Sequence, residues 1–361
     1  MKYFLYTTAI TSLAASAAFA GGVERSTQSV GVLFEKGRYL EFGFSGGDSK
    51  VSGSIAGTFN SNDMANSFLN FGAAYKADLN ETWSYALIYN QPFGASVSYP
   101  LVSYPFAGSN ADLESHALTG LLKYSMPSNV SLYGGLRVQT LEAKANVNAV
   151  PSFSGYEATA DRDIALGYVL GAAYERPDIA LRVSLTYNSE IDHNLDTVET
   201  GFTPTAASSE TEITTPKSLH LEFQTGIAAD TLLFGGIRWV EWTEFDISPA
   251  VYSSPLAVGR PLVSYEDDRT TFTLGLGRRL SEQWAVAASI SYEETTGSIT
   301  GNLAPVDGFT SATIGATYTK DNMKITGGVS YVDIGDATTT ATASFTDNSA
   351  IGMGIKVGYT F

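Results

Sequence analysis

The chain holds three histidines, His116, His193 and His220, and no cysteine. The histidine separations match no metal-ligand spacing, and no H-E-x-x-H run is present. His193 is expected in a loop and His220 on the polar face of a strand. Carboxylates are numerous, but none is paired in a pattern that sets up acid–base work. Gly134-Gly135, Gly235-Gly236 and Gly327-Gly328 lie inside alternating segments, where paired glycines serve close packing or bending and offer no phosphate cradle. These residue types argue against an enzyme, a metal centre and a bound cofactor. What remains is a set of cations on polar faces. Arg137, Arg182 and Arg238 could each meet a carboxylate, either a ligand's or that of Glu222 or Glu293 within the protein.

The elements that position these residues are read best from Ser349 to Phe361. Ile351, Met353, Ile355, Val357, Tyr359 and Phe361 alternate with Gly352, Gly354, Lys356, Gly358 and Thr360, a period of two with one wholly apolar face. A strand of about 10 residues that turns such a face to lipid needs this length and an aromatic end. Similar alternation recurs near 38–57, 66–77, 82–96, 111–126, 129–146, 157–176, 179–192, 211–227, 231–247, 263–280, 283–297, 308–320 and 323–335. The first of these is expected to carry a bulge at Gly46-Gly47. In this register Arg137, Arg182, Arg238, Glu222, Glu293, Lys324 and Lys356 all point away from the apolar face, where a charge would cost about 2–4 kcal/mol at mid-depth.

The connections alternate between very short (78–81, 127–128, 177–178, 228–230, 281–282, 321–322) and long and polar (58–65, 97–110, 147–156, 193–210, 248–262, 298–307, 336–345). An all-β, up-and-down antiparallel barrel of about 14 strands, with tight periplasmic turns and long outer loops, gives this alternation. Charged residues make up only 16% of the chain, against about 25% in soluble domains. The net charge of −16 argues against a nucleic-acid partner. Lys2, the apolar run from Tyr3 to about Ala17, and Ala18-Phe19-Ala20 before Gly21 read as an export signal. The expected division is therefore a signal peptide over 1–20, an N-terminal plug segment over 21–37 and a barrel over 38–361, in the outer membrane of a Gram-negative bacterium.

Trp239-Val240-Glu241-Trp242-Thr243-Glu244-Phe245-Asp246, preceded by Thr215-Pro216-Lys217-Ser218, resembles the FadL family of outer-membrane transporters for long-chain fatty acids and hydrocarbons. Glu81-Thr82-Trp83, Tyr89-Asn90-Gln91-Pro92-Phe93-Gly94, Tyr265-Glu266-Asp267-Asp268 and Gln283-Trp284 fit the same family. The resemblance spans nearly the whole chain beyond the signal. It implies a lumen obstructed by the N-terminal segment and a kinked early strand through which an apolar substrate leaves sideways into the bilayer. Residues 21–37 depart from the family in being short and in lacking an Asn-Pro-Ala run; Leu33-Phe34-Glu35-Lys36-Gly37 stands in its place.

For such a ligand the expected apolar contacts are Val32, Leu33 and Phe34. Arg25, Lys36 and Arg38 lie nearby in sequence, and the candidate partners for a head group are Arg38, Arg137, Arg182 and Arg238. Pro92 cannot donate to a strand ladder, so pairing fails there, and Pro92 with Gly94 forms the expected lateral gate. The loops 97–106 and 249–261 carry unusual apolar content, which suits either a collecting surface or loops that cap the barrel. The expected partners are a hydrophobic small molecule, outer-membrane lipid, and the barrel-assembly machinery through Phe361, with the protein a monomer. An open diffusion porin and an adhesive surface barrel are the alternatives.

Overall fold

The computed structural model describes residues 22–149 and 153–361; the signal peptide expected over 1–20 lies outside them. Fourteen antiparallel strands close into one barrel. They are β1 (Tyr39–Lys50), β2 (Phe68–Asp78), β3 (Trp83–Asn90 and Gly94–Ser98), β4 (Asn110–Ser125), β5 (Val130–Ala149), β6 (Phe153–Arg176) and β7 (Leu181–Asn188 and Ile191–Thr200). There follow β8 (Ala207–Thr215 and Ser218–Ala228), β9 (Thr231–Val240), β10 (Arg269–Arg279), β11 (Trp284–Glu293), β12 (Phe309–Lys320), β13 (Met323–Ile334) and β14 (Asn348–Thr360). The barrel closes between β1 and β14, from Tyr39 opposite Thr360 to Lys50 opposite Ser349.

The apolar faces look outward, as the alternation predicts. On β14 Ile351, Met353, Ile355, Val357 and Tyr359 are exposed, with Met353 at 64%. Where these strands meet water at the short-turn rim, rings pair up: Trp83 with Tyr124, Trp284 with Tyr318, and Tyr359 with Phe361. Amphipathic rings favour that level of a bilayer.

On β4 and β5 the same alternation continues past the lipid band with its polarity exchanged. On β4 the outward residues run Tyr124, Leu122 and Leu118, then Glu114 and Asp112, while Leu113 turns inward and is buried. The solvent outside changes from hydrocarbon to water, so the polar residues move to the outer face. As a result the outer end of the barrel encloses an apolar core that includes Phe93, Leu141, Tyr156, Leu195, Ile213 and Trp242.

Several expectations need correction. β1 pairs through Gly46 and Gly47 without a register shift, so no bulge sits there; Phe68 and Leu69 pack too closely for a larger residue at Gly46. Gly53–Ile55 leaves the barrel for a small outer sheet with Ala343–Phe345. The expected loop at 193–210 is mostly strand, and His193 is buried on β7. The loops 97–106 and 249–261 act largely as a cap. Tyr99, Tyr104, Phe106 and Tyr252 are buried, although Leu101 and Leu256 stay exposed at 89% and 100%. Burial pushes the Tyr104 phenol up to about 12, which disfavours its ionised form in the cap even at alkaline pH. Glu199 fastens the second loop by accepting Val251 N–H at 2.8 Å, Tyr252 N–H at 2.9 Å and the Tyr156 hydroxyl at 2.8 Å.

Candidate functional site: a gap in the barrel wall

The site begins with Gln91-Pro92-Phe93, which splits β3. Below the split β3 pairs with β2 up to Tyr89 opposite Ala73. Above it a single bridge, Val97 opposite Ala65, restores contact in the same register. Between them residues 67–72 and 90–95 do not pair with one another, although each stretch keeps bonds to the strand on its other side. Pro92 supplies no N–H, and the inward parity reverses across the break, from Ser84 and Ala86 below to Ala95 and Val97 above. The Gln91 side chain partly substitutes for the ladder by accepting the Phe71 N–H at 2.8 Å.

From the lumen, the N-terminal segment lies against this break as a short added strand. Arg25 and Ser26 donate their backbone N–H groups to the Pro92 carbonyl at 2.7 and 3.2 Å, and Gly94 N–H bonds the Val23 carbonyl at 2.8 Å. Arg25 also donates from Nε to the Gly94 carbonyl at 2.8 Å. Its guanidinium lies over the Phe68 ring at 3.8 Å.

The space around Arg25 is continuous with both sides of the wall. One cavity of about 160 Å³ runs from lumen residues Ser29, Glu41 and Lys356 to Phe44, Phe71, Tyr89 and Ile355. Phe42, Phe44, Phe71 and Tyr89 form a chain of ring contacts there. A second cavity of about 130 Å³ lies between Gly22–Arg25 and Ala65, Phe68 and Ala95. It shares Val23, Ala95, Val97, Leu303 and Ala304 with a third under the loops, whose wall includes seven alanines. Apolar surface interrupted by few polar groups is what a hydrophobic ligand needs.

The structure sorts the expected residues into groups. Val32 and Leu33, on a 3-10 turn over Gly31–Phe34, are buried against Ala74, Ala86, Leu121, Tyr133, Val169 and Ala173. Phe34 lies between two cations, with Arg182 4.5 Å and Lys123 4.8 Å from its ring centre. Arg137 donates to Gln28 Oε1, to Thr119 Oγ1 at 2.9 Å and to Asn188 Oδ1 at 3.0 Å. Arg238 pairs with Glu24, and both are buried. The carboxylate partners expected within the barrel, Glu222 and Glu293, are thus replaced for Arg238 by one from the N-terminal segment. Arg38 is exposed at the rim, where its carbonyl accepts the Phe361 N–H at 2.9 Å. Pro92 and Gly94 lie at the gap. Arg25 reaches it, and its position in sequence, close ahead of the apolar stretch 30–34, is the signal that marks it.

Residues 39–361 match the family model described as outer membrane protein transport protein (OMPP1/FadL/TodX). The chain belongs to this family. It is an outer-membrane transport channel and not an enzyme. A search of curated protein sequences gives no match. Among solved structures it is similar to a Pseudomonas aeruginosa FadL homologue, with a TM-score of 0.76 at 14% identity, over 97% of this chain and 98% of that one. It is also similar to the Pseudomonas putida toluene transporter TodX, at 0.69 and 12% over 97% and 98%. The Ralstonia pickettii toluene transporter TbuX matches at 0.64 and 13% over 91% and 90%. At these identities the likeness speaks for the fold, and the family model for the membership.

Proposed function

We propose that this FadL-family channel carries long-chain fatty acids or similar hydrophobic molecules passively from the loop-covered cavity to the gap between β2 and β3, and releases them sideways into the bilayer. The unpaired stretch around Pro92, held in register above and below and flanked by cavities on both faces, carries this reading. Val32, Leu33 and Phe34 form the body of a plug over residues 22–37, with Arg137 and Arg238 anchoring it and Arg182 clasping Phe34. Pro92 and Gly94 are the gate. Arg25, set between the cavities, meets a carboxylate head; a neutral hydrocarbon passes it without that contact. Toluene is what the TodX and TbuX names give those proteins, and the alanine-lined cavity suits a molecule of that kind as well. An open polar porin fits less well, because Glu24 and Gln28 occupy the lumen arginines.

A closed barrel leaves no free strand edge for pairing with a second copy, which supports a monomer. Phe361, exposed at 65% beside the rim, is placed to be read by barrel-assembly machinery.

The test is Pro92→Val in cells that depend on this channel. Restored pairing should lower uptake of a long-chain fatty acid while the yield of heat-modifiable barrel stays unchanged. Full uptake by a fully folded variant would overturn the lateral route.

A further inference from the structure

The wall has a second break, on which the route above does not draw. β6 and β7 pair from Leu181 opposite Arg176 to Asn188 opposite Val169, separate, and pair again from Thr197 opposite Ala160 in the same register. Residues 161–168 and 189–196 face one another without ladder pairing. This repeats the construction at β2 and β3, where pairing lapses and then returns unshifted. A proline accompanies each break: Pro92 in β3, and Pro216 in β8, which is split opposite the split in β7. Inward parity also reverses at both. On β7 it passes from Arg182, Ser184, Thr186 and Asn188 to Ile191, His193, Leu195 and Thr197. A bulge in β6, where its register against Leu141 and Ala143 shifts, bends that strand locally. Followed sideways from Asn90, the ladder passes Ala117 and Gln139 to Ala165, so the two openings share a rung.

One backbone bond and several side-chain bonds hold this opening shut. Ser189 bonds Tyr168 twice, donating its N–H to the carbonyl at 3.0 Å and accepting the Tyr168 N–H at Oγ at 2.9 Å. The Gln139 amide nitrogen can only donate to His193 Nε2, at 3.3 Å. His193 therefore carries its proton on Nδ1 and donates it to Asp163 Oδ2 at 2.9 Å. The imidazole is fully buried, and its bond to Asp163 bridges the two unpaired stretches. On the lipid side Ile164 and Leu166 are exposed, and on the lumen side the alanine-lined cavity reaches Ala160 and Thr197. The N-terminal segment reaches this break too. Gln28 accepts from Arg137, which donates to Asn188, the last residue of the lower piece of β7. One stretch, Arg25 to Gln28, thus contacts Pro92 at one opening and is one side chain removed from the other.

We propose, building on the transport reading above, that the β6–β7 opening is a second lateral portal for hydrophobic molecules. His193 and Asp163 latch it, and movement of Arg25–Gln28 releases both portals together. The experiment uses a diazirine-bearing long-chain fatty acid with the full-length protein in outer-membrane vesicles, and maps adducts on inward side chains after illumination. Adducts are expected on Phe68 at the first portal and on Ile191 and Leu195 at the second. Asp163→Asn should raise the yield at Ile191 and Leu195 and leave Phe68 unchanged. Should that variant fold poorly, judged by heat-dependent gel migration, Gln28→Ala is used and should raise the yield at both portals. Adducts on Phe68 with none on Ile191 or Leu195, in wild type and variant alike, would overturn the second portal and leave the first standing. Adducts at neither place would remove the transport reading and the second portal with it.

Discussion

The guanidinium of Arg25 lies 3.8 Å from the centre of the Phe68 ring, within the stretch where β2 and β3 do not pair. The two side chains come from segments 43 residues apart and close a hole that neither strand closes alone. A cation over a ring face contributes about 0.5–2 kcal/mol depending on its solvation, enough to hold a gate shut and little enough to let it open.

Arg25→Ala should therefore separate two kinds of substrate. A carboxylate loses a charge-assisted hydrogen bond of about 1.5–3 kcal/mol, so the apparent KM for fatty-acid uptake should rise about tenfold or more. A neutral aromatic hydrocarbon loses nothing of that kind and should keep its KM. Uptake kinetics of the two substrates in the same cells check this; equal losses for both would assign Arg25 a structural role.

Glu199 reports on the cap. Replacing it with alanine strands two backbone N–H groups and the Tyr156 hydroxyl, at about 1–3 kcal/mol for each group left buried and unpaired. The backbone ladder of the barrel wall is separate from these side-chain bonds, so Glu199→Ala should leave barrel stability nearly intact while loosening 248–262. Faster proteolytic cutting of that loop on intact cells, with unchanged heat-modifiable migration, is the expected result.

Much of this architecture could be read from residue order alone, because a barrel in lipid imposes one rule on every strand. Leu132, Leu136 and Val138 against Arg137 and Gln139 announce their faces, and Pro92 announces a missing donor. His193 did not, because past the lipid band both faces of β7 are mixed and its alternation begins again after Ser189 with the opposite parity. The Arg238–Glu24 pair joins positions 214 residues apart, and nothing local marks it. The loops 97–106 and 249–261 showed their apolar content plainly; which of those residues turn inward depends on neighbours that only folding brings together.

Paired glycines looked alike in sequence and differ in the fold. A methyl group at Gly135 would lie 1.8 Å from the Gly120 carbonyl oxygen, whereas at Gly327 its nearest neighbour is 3.8 Å away. Backbone cannot yield as a side chain can, so Gly135→Ala should distort the β4–β5 pairing at a cost of about 1–3 kcal/mol or more. Gly327→Ala should be tolerated. The urea midpoint for loss of heat-modifiable migration compares them directly, and a drop for both would mean that flexibility, and not contact, is what these glycines supply.

Glu24 and Arg238 decide whether the lumen is sealed. Both are buried and pair across the lumen, and removing one partner of such a pair costs about 3–5 kcal/mol because the other charge is left uncompensated. The barrel has its ladder to rely on, but the N-terminal segment has only a few such anchors, so the cost should fall on its attachment. Glu24→Ala should detach residues 22–28 and turn a nearly silent barrel into one that conducts ions in planar bilayers. The double variant Glu24→Gln with Arg238→Gln removes both charges and can keep a neutral hydrogen bond, so it should return much of the silence. If Glu24→Ala conducts no more than the wild type, the segment is held chiefly by Val30, Val32 and Leu33 in their alanine-lined seat, and the ion pair only sets its register.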